Sequence, residues 1–244
     1  AIGLDGRSDN AIQNNSNAFK EAGEPLHAGN SGGRSVWFTW VAPNDGELTV
    51  STAGSDFDTL LAVYVGTGFD DLLALASNDD FAPGTTSQVT VPVIGGQTYH
   101  IAVDGKYDFV GNTISTGNIQ LALSLAASND LFVNAMPITG GAVLIDTYNT
   151  NATKEGGEAS HAGNAGGSSL WFDYVAPADG MVVIDTAGSE FDTLLSVYTG
   201  DTLGGLSTLV ENDDLGGVIN TSRVVILAEV GESYKIAVDG KDGE

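Results

Sequence analysis

Apolar residues in this chain come in short bursts, seldom longer than seven positions, and Gly, Pro, Asn and Asp punctuate them. Runs rich in Val, Ile, Leu, Thr and aromatics occupy Val36 to Val41, Glu47 to Thr52, Thr59 to Val65, Leu72 to Ala76, Gln88 to Ile94, Thr98 to Val103 and Asn118 to Leu123. Turn formers separate them, including Pro43-Asn44-Asp45-Gly46, Gly66-Thr67-Gly68, Pro83-Gly84 and Gly95-Gly96. Such spacing predicts strands joined by tight connections. No stretch keeps an apolar stripe of helical period between the breaks.

The same pattern is written twice. A shift of 134 residues places Trp37-Phe38 on Trp171-Phe172 and Phe57-Asp58-Thr59-Leu60-Leu61 on Phe191 to Leu195, with 40 identities in the first 80 aligned positions. After one inserted residue, Ile101 to Lys106 falls on Ile236 to Lys241. A period this long is a domain rather than a solenoid unit. The expectation is an all-β chain of two tandem antiparallel β-sandwich, jelly-roll-like domains, residues 1–125 and 126–244. The phase of the repeat is offset: Ser128 to Asn134 introduces copy two with no counterpart before Ala1, and copy two stops before any counterpart of Asn118 to Leu123. The sequence therefore reads as a mature or excised segment of a longer protein. Its ends would be completed by further repeats of the same protein, or by neighbouring copies through head-to-tail strand addition into a filament.

Composition narrows the partners. Thirty-two acidic against 8 basic residues give a net charge of −24, which opposes phosphate backbones and anionic lipid surfaces, so neither nucleic acid nor membrane insertion is expected. With no cysteine, thiolate zinc sites, disulfides and cysteine nucleophiles are excluded. Abundant carboxylates suit a hard cation such as calcium.

The densest identity between copies is Thr52 to Leu61 against Thr186 to Leu195, with Asp56 replaced by Glu190. Asp56 and Asp58, two apart on an extended segment, point to one side, as do Glu190 and Asp192. Asn78-Asp79-Asp80 recurs as Asn212-Asp213-Asp214. Calcium among these oxygens is one reading; Asx-turns that only close loops are the other. Asp104 and Asp239, in Val-Asp-Gly, are weaker metal candidates. Glu24 and His27, repeated as Glu158 and His161, lack a third ligand or a nucleophile nearby, so a structural loop, its backbone hydrogen-bonded by Glu and His, outweighs catalysis. Trp37 and Trp171 read as core. Trp40 and Tyr174 are open to burial or to stacking a sugar or matrix ligand. No nucleophile, base and orienter can be assembled into an enzyme.

The ordered set Asn129-Asp130-x4-Ala135, Gly-Glu-x2-His-Ala-Gly-Asn-x-Gly-Gly, Ser-x-Trp-Phe, Phe-Asp-Thr-Leu-Leu-x-Val-Tyr, Asn-Asp-Asp and Tyr-x-Ile-Ala-Val-Asp-Gly resembles the bacterial pre-peptidase C-terminal domains, which are related to the collagen-binding domains of bacterial collagenases. The resemblance implies a jelly-roll sandwich, a secreted or cell-surface location, no catalysis of its own and, in many members, bound calcium. In the collagen-binding relatives calcium sits between the leading Asn-Asp and an acidic pair before the central aromatic strand. Here Arg34-Ser35-Val36 and Ser168-Ser169-Leu170 stand in that place, so neither that site nor collagen binding carries over. The functional expectation is a non-catalytic structural or adhesive module; a glycan- or matrix-binding module that targets an attached enzyme is the alternative.

Overall fold

The computed structural model describes residues 1–217 and 220–244. The chain forms two units, Ala1–Leu125 and Ala126–Glu244. The first holds β1 (Ile2–Leu4), β2 (Ser8–Asn14), β3 (Val36–Val41), β4 (Gly46–Ser51), β5 (Thr59–Val65), β6 (Leu73–Asn78), β7 (Gln88–Val93), β8 (Thr98–Gly105), β9 (Tyr107–Asp108), β10 (Thr113–Ile114) and all but the last two residues of β11 (Asn118–Ala127). The second holds β12 (Met136–Ile138), β13 (Leu170–Val175), β14 (Gly180–Asp185), β15 (Thr193–Thr199), β16 (Ser207–Asn212), β17 (Arg223–Ala228) and β18 (Ser233–Gly240).

In the first unit one sheet runs β1-β3-β8-β5-β6 and the other β2-β11-β4-β7, with β9 and β10 as a small extra ribbon. Setting aside β1, β9 and β10, the eight main strands in chain order give sheets 2-7-4-5 and 1-8-3-6. This is the order of a jelly roll. Alternation drives it: β11 buries Ile119, Leu121, Leu123 and Leu125 and turns Asn118 and Gln120 outward, while β4 buries Leu48 and Val50. Phe38 and Trp40 of β3 and Ile101 of β8 close the core from the facing sheet.

Strands β1 and β2 carry no apolar alternation that would announce them. Ser8–Asn14 is SDNAIQN and presents an exposed residue at every second position. It is a strand because β11 supplies a hydrogen-bonding edge from Asn14↔Asn118 to Ser8↔Ser124.

The second unit repeats the first sheet as β12-β13-β18-β15-β16, with β12 parallel to β13 as β1 is to β3. Its core joins Phe172, Tyr174, Val197 and Ile236 of that sheet to Val224 and Ile226 of β17. Its second sheet, among the described residues, is β14 and β17 alone. Among the described residues no helix is long and apolar enough to cross a membrane.

Candidate functional site

Three strand ends meet at one end of the first sheet. Asp58 precedes β5, Lys106 follows β8, and the Asp79-Asp80 pair follows β6. The pairings Thr59↔Gly105 and Leu61↔Asn78 bring them together, and the Lys106 N–H donates to the Asp58 carbonyl at 3.0 Å. Oxygens of Asp58, Asp79 and Asp80 lie within 4.8 Å of one another. The Lys106 ammonium sits 2.9 Å from Asp79, 3.4 Å from Asp80 and 3.6 Å from Asp58. The second unit reproduces the arrangement: Lys241 is 2.9 Å from Asp213, 3.6 Å from Asp192 and 3.8 Å from Asp214.

The paired aspartates thus tolerate each other in part because a lysine stands among them. One ammonium against three carboxylates leaves two negative charges uncompensated, at roughly 1 kcal/mol or more of repulsion per pair at this spacing. Burial, reinforced by Asp80 and Asp79 against the opposing pull of Lys106, holds the Asp58 carboxyl above the ordinary Asp value, and Asp192 is raised for the same reasons. The hydrogen bond to Asp79 raises Lys106. The Oδ1 atoms of Asp58, Asp79, Asp192, Asp213 and Asp214 are buried without a hydrogen-bond partner.

Beneath each cluster lies a hydroxyl network that sequence reasoning missed. Thr52 Oγ1 and Thr59 Oγ1 are 2.7 Å apart, and Ser87 Oγ, 3.1 Å from Thr59 Oγ1, donates within 2.6 Å of the Asp79 carbonyl oxygen. Thr186, Thr193, Ser222 and Asp213 repeat the set. The signal was the identity of those three hydroxyl positions, and of Lys106 and Lys241, in both copies.

The other candidate ligands fall outside the clusters. Asp56 accepts from the Asn118 N–H at 2.6 Å and its Nδ2 at 2.9 Å, pinning the start of β11, and Glu190 is exposed. Asn78 and Asn212 accept the N–H groups of Gln88 and Arg223, where the next outer strand begins. Asp104, fully buried, accepts N–H groups from Gly33, Arg34 and Gly105; Asp239 does so from Gly167, Ser168 and Gly240. Both anchor the glycine-rich loops, residues 24–33 and 158–167, through these bonds. A Cβ at Gly32 or Gly166 would fall 1.8 or 1.6 Å from the anchoring carboxylate, at a positive φ of 53° or 60°. Only glycine fits there.

That loop carries the sealed chain of acid and base groups. His27, fully buried, places Nε2 2.9 Å from Glu24 and Nδ1 2.7 Å from the Tyr64 hydroxyl. The Trp37 indole also donates to Glu24. His161, Glu158 and Tyr198 match at 2.8 and 2.7 Å. The histidines therefore bond side chains, whereas Glu24 and Glu158 also receive the N–H groups of Glu21 and Glu155, as the structural-loop expectation has it. Burial pushes the Glu24 carboxyl up, but the bonds from His27 and the Glu21 backbone contribute to outweighing it, so the group lies below the ordinary Glu value, as does Glu158. Burial and the charge of Glu24 push the Tyr64 hydroxyl up to about 12. Although Glu158, His161 and Asp239 approach one another within 4.8 Å, both ring nitrogens of His161 are already engaged.

Trp40 and Tyr174 are core residues, 1% and 7% exposed. They share the inward face of β3 and β13 with Phe38 and Phe172, and the Trp40 indole donates to the Gly6 carbonyl at 2.9 Å. Neither can stack a ligand. On the opposite face Trp37 and Trp171 pack beneath the glycine loop, against His27 and His161.

No family model and no curated protein matches the chain. Among solved structures, it is similar to a Paenibacillus sp. cycloisomaltooligosaccharide glucanotransferase, with 12% identity, a TM-score of 0.26, and coverage of 94% of this chain and 44% of that one. It is similar to the PBSX exported protein XepA, with 12% identity, a TM-score of 0.28 and coverage of 94% and 86%. It is also similar to the human MASP-1/3 CUB1-EGF-CUB2 fragment, with 7% identity, a TM-score of 0.31 and coverage of 96% and 100%. The chain spans less than half the length of the glucanotransferase. The fold assignment rests on the strand pairing itself.

Proposed function

We propose that the chain is a non-catalytic tandem module of an exported or cell-surface protein, structural or adhesive in role, of the pre-peptidase C-terminal kind, with each carboxylate triad holding one calcium ion. The observation that carries this reading is the recurrence of the triad, with buried, unpartnered carboxylate oxygens in both units. Calcium takes six to eight oxygens in flexible geometry. Asp58, Asp79 and Asp80 in the first unit, and Asp192, Asp213 and Asp214 in the second, would supply the protein's share, with the ammonium of Lys106 or Lys241 swinging aside on its flexible stem.

The non-catalytic part rests on what the acid and base groups do. In both units the Glu and His of the glycine loop and the Tyr of the strand beneath it, Tyr64 of β5 or Tyr198 of β15, are spent on one another, and His27 and His161 have no exposed surface. The burial of Trp40 and Tyr174 removes the aromatic signature on which the glycan-binding alternative depended.

The test is thermal melting of chelator-stripped protein with and without added calcium. A ligand that binds only the native state raises Tm with its concentration over Kd, so calcium should stabilise both units. Asp79→Asn should remove the response of the first unit and leave that of the second. Identical melting curves in calcium and in chelator would refute the metal assignment.

A further inference from the structure

A cleft of about 510 Å³ opens on the outer face of the second unit's first sheet, apart from the carboxylate triad. Its floor is an apolar cluster of Trp171, Tyr198 and Ala237, with Phe132, Ala135 and Leu203 packed against it. Phe132 stands edge-on to the Trp171 ring, centroids 5.1 Å apart, and with Ala135 and Leu203 it forms the apolar wall. The cleft lies toward the start of β18, at Lys235, whereas Asp239 and Lys241 stand at the strand's other end.

The polar wall is made by Glu155, Asp173, Asp201 and Lys235. Asp173 and Lys235 neutralise each other: they are cross-strand partners, the ammonium lies 2.8 Å from the carboxylate, and Asp173 also accepts the Ser233 hydroxyl at 2.6 Å. Glu155 accepts the Phe132 N–H at 2.5 Å, which ties it to the apolar wall, and Asp201 is exposed at the rim. Three carboxylates against one ammonium leave two negative charges lining the cavity.

The repeat shows that the fold does not require this charge. At the aligned positions the first unit holds Thr39, Thr67 and His100 in place of Asp173, Asp201 and Lys235. Its Phe69 ring lies against Trp37, centroids 5.6 Å apart, where the second unit has the smaller Leu203. The Trp37 indole donates to Glu24, whereas the indole N–H of the fully buried Trp171 has no acceptor. Two carboxylates gained beside an apolar wall, in a copy otherwise kept alike, are accounted for by a ligand that the second unit alone takes.

We infer that this cleft binds a small organic cation, a primary ammonium or guanidinium group carried on an apolar body. The charged end meets Asp201 and Glu155, and the body lies over Phe132 and Leu203. An anionic ligand would face the uncompensated carboxylates, and a neutral one would leave them without a counter-charge. The volume suits a small molecule held by an apolar lining and a few placed polar groups.

The probe is phenethylamine, titrated into the isotope-labelled 244-residue chain and followed by amide chemical shifts and calorimetry. The shifts should saturate with a millimolar or tighter Kd and centre on residues 132–135, 201–203 and 235. Phenethyl alcohol and hydrocinnamate, which keep the ring without the positive charge, should leave those amides unmoved. Asp201→Thr, which installs the first unit's residue, should weaken binding about threefold, the scale of an exposed ion pair. Lys235→Met, which leaves Asp173 unneutralised, should strengthen it, a direction that a purely structural lysine would not produce. The inference is overturned if the amine moves none of these amides, if the alcohol or hydrocinnamate binds as well, or if the shifts spread equally over the acidic surfaces of both units, as non-specific attraction of any cation would make them. Weaker binding by Lys235→Met would overturn it in favour of an anionic group on that lysine. The readout is local to the cleft, so it does not depend on whether the triads hold calcium.

Discussion

Removing the Asp104 carboxylate separates a backbone anchor from a metal ligand. Three N–H groups converge on it, from Gly33 at 2.9 Å, Arg34 at 2.6 Å and Gly105 at 2.7 Å. An unpaired buried donor costs about 1 to 3 kcal/mol. Gly33 and Arg34 are only partly buried and regain some water, so Asp104→Ala should cost the first unit roughly 3 to 5 kcal/mol, a large share of the ~5 to 15 kcal/mol that holds a domain folded. The assay is urea unfolding, with hydrogen exchange to localise the loss to the glycine loop and β8. Because the anchor serves the backbone, the loss should be equal in calcium and in chelator. A loss below about 1 kcal/mol, or one that disappears in chelator, would refute the anchoring argument and return Asp104 to the metal ligands.

Lys106→Met should cost the metal-free first unit about 1 kcal/mol, discounted for partial exposure, while raising its calcium affinity because the competing ammonium is gone; calorimetry reads both parts. Gly166→Ala, forced to a positive φ with its Cβ against Asp239, should destabilise the second unit by more than about 2 kcal/mol in urea titrations. The pH profile of metal-free Tm should have two limbs. Asp58 and Asp192 have raised folded pKa values, so their contribution is present below the unfolded pKa and lost as pH rises through the folded one; acidification from neutral through mild acid should raise Tm. Glu24 and Glu158 are lowered, so their contribution is present above the unfolded pKa of about 4.3 and lost as pH falls through the folded one. Tm should then drop in stronger acid, and calcium should flatten the first limb only. A Tm that falls monotonically from neutral pH would contradict the raised carboxylates.

Most of the sandwich was legible because its strands are short apolar-rich runs bounded by turn formers, alternating where one face is buried, as in β11, and continuous where both are, as in β5. Val36–Val41 and Thr59–Val65 stand where the apolar runs placed them. Strand β2 was illegible because its pairing with β11, rather than an apolar alternation of its own, makes it a strand. Within the candidate site, Asp58, Asp79 and Asp80 were found from repetition, as were their counterparts. Adjacency in sequence misled at Asp56: Asp58 faces the strand ends, while Asp56 turns to Asn118, 62 residues away. Asp104 was undervalued because Asp-Gly is a common turn pair, and its three N–H donors come from two separate parts of the chain. Trp40 was ambiguous because alternation tells which residues share a face but not which face is covered; here a loop covers the outer face as well.

The account turns on whether the triads take up calcium, and the direct measurement is the calcium content of chelator-stripped chain after equilibrium dialysis against a millimolar calcium buffer. Two ions per chain are predicted, one in Asp79→Asn and none in the Asp79→Asn, Asp213→Asn double variant. No bound calcium in the unmodified chain would contradict the account and leave Lys106 and Lys241 as the only cations the carboxylates use.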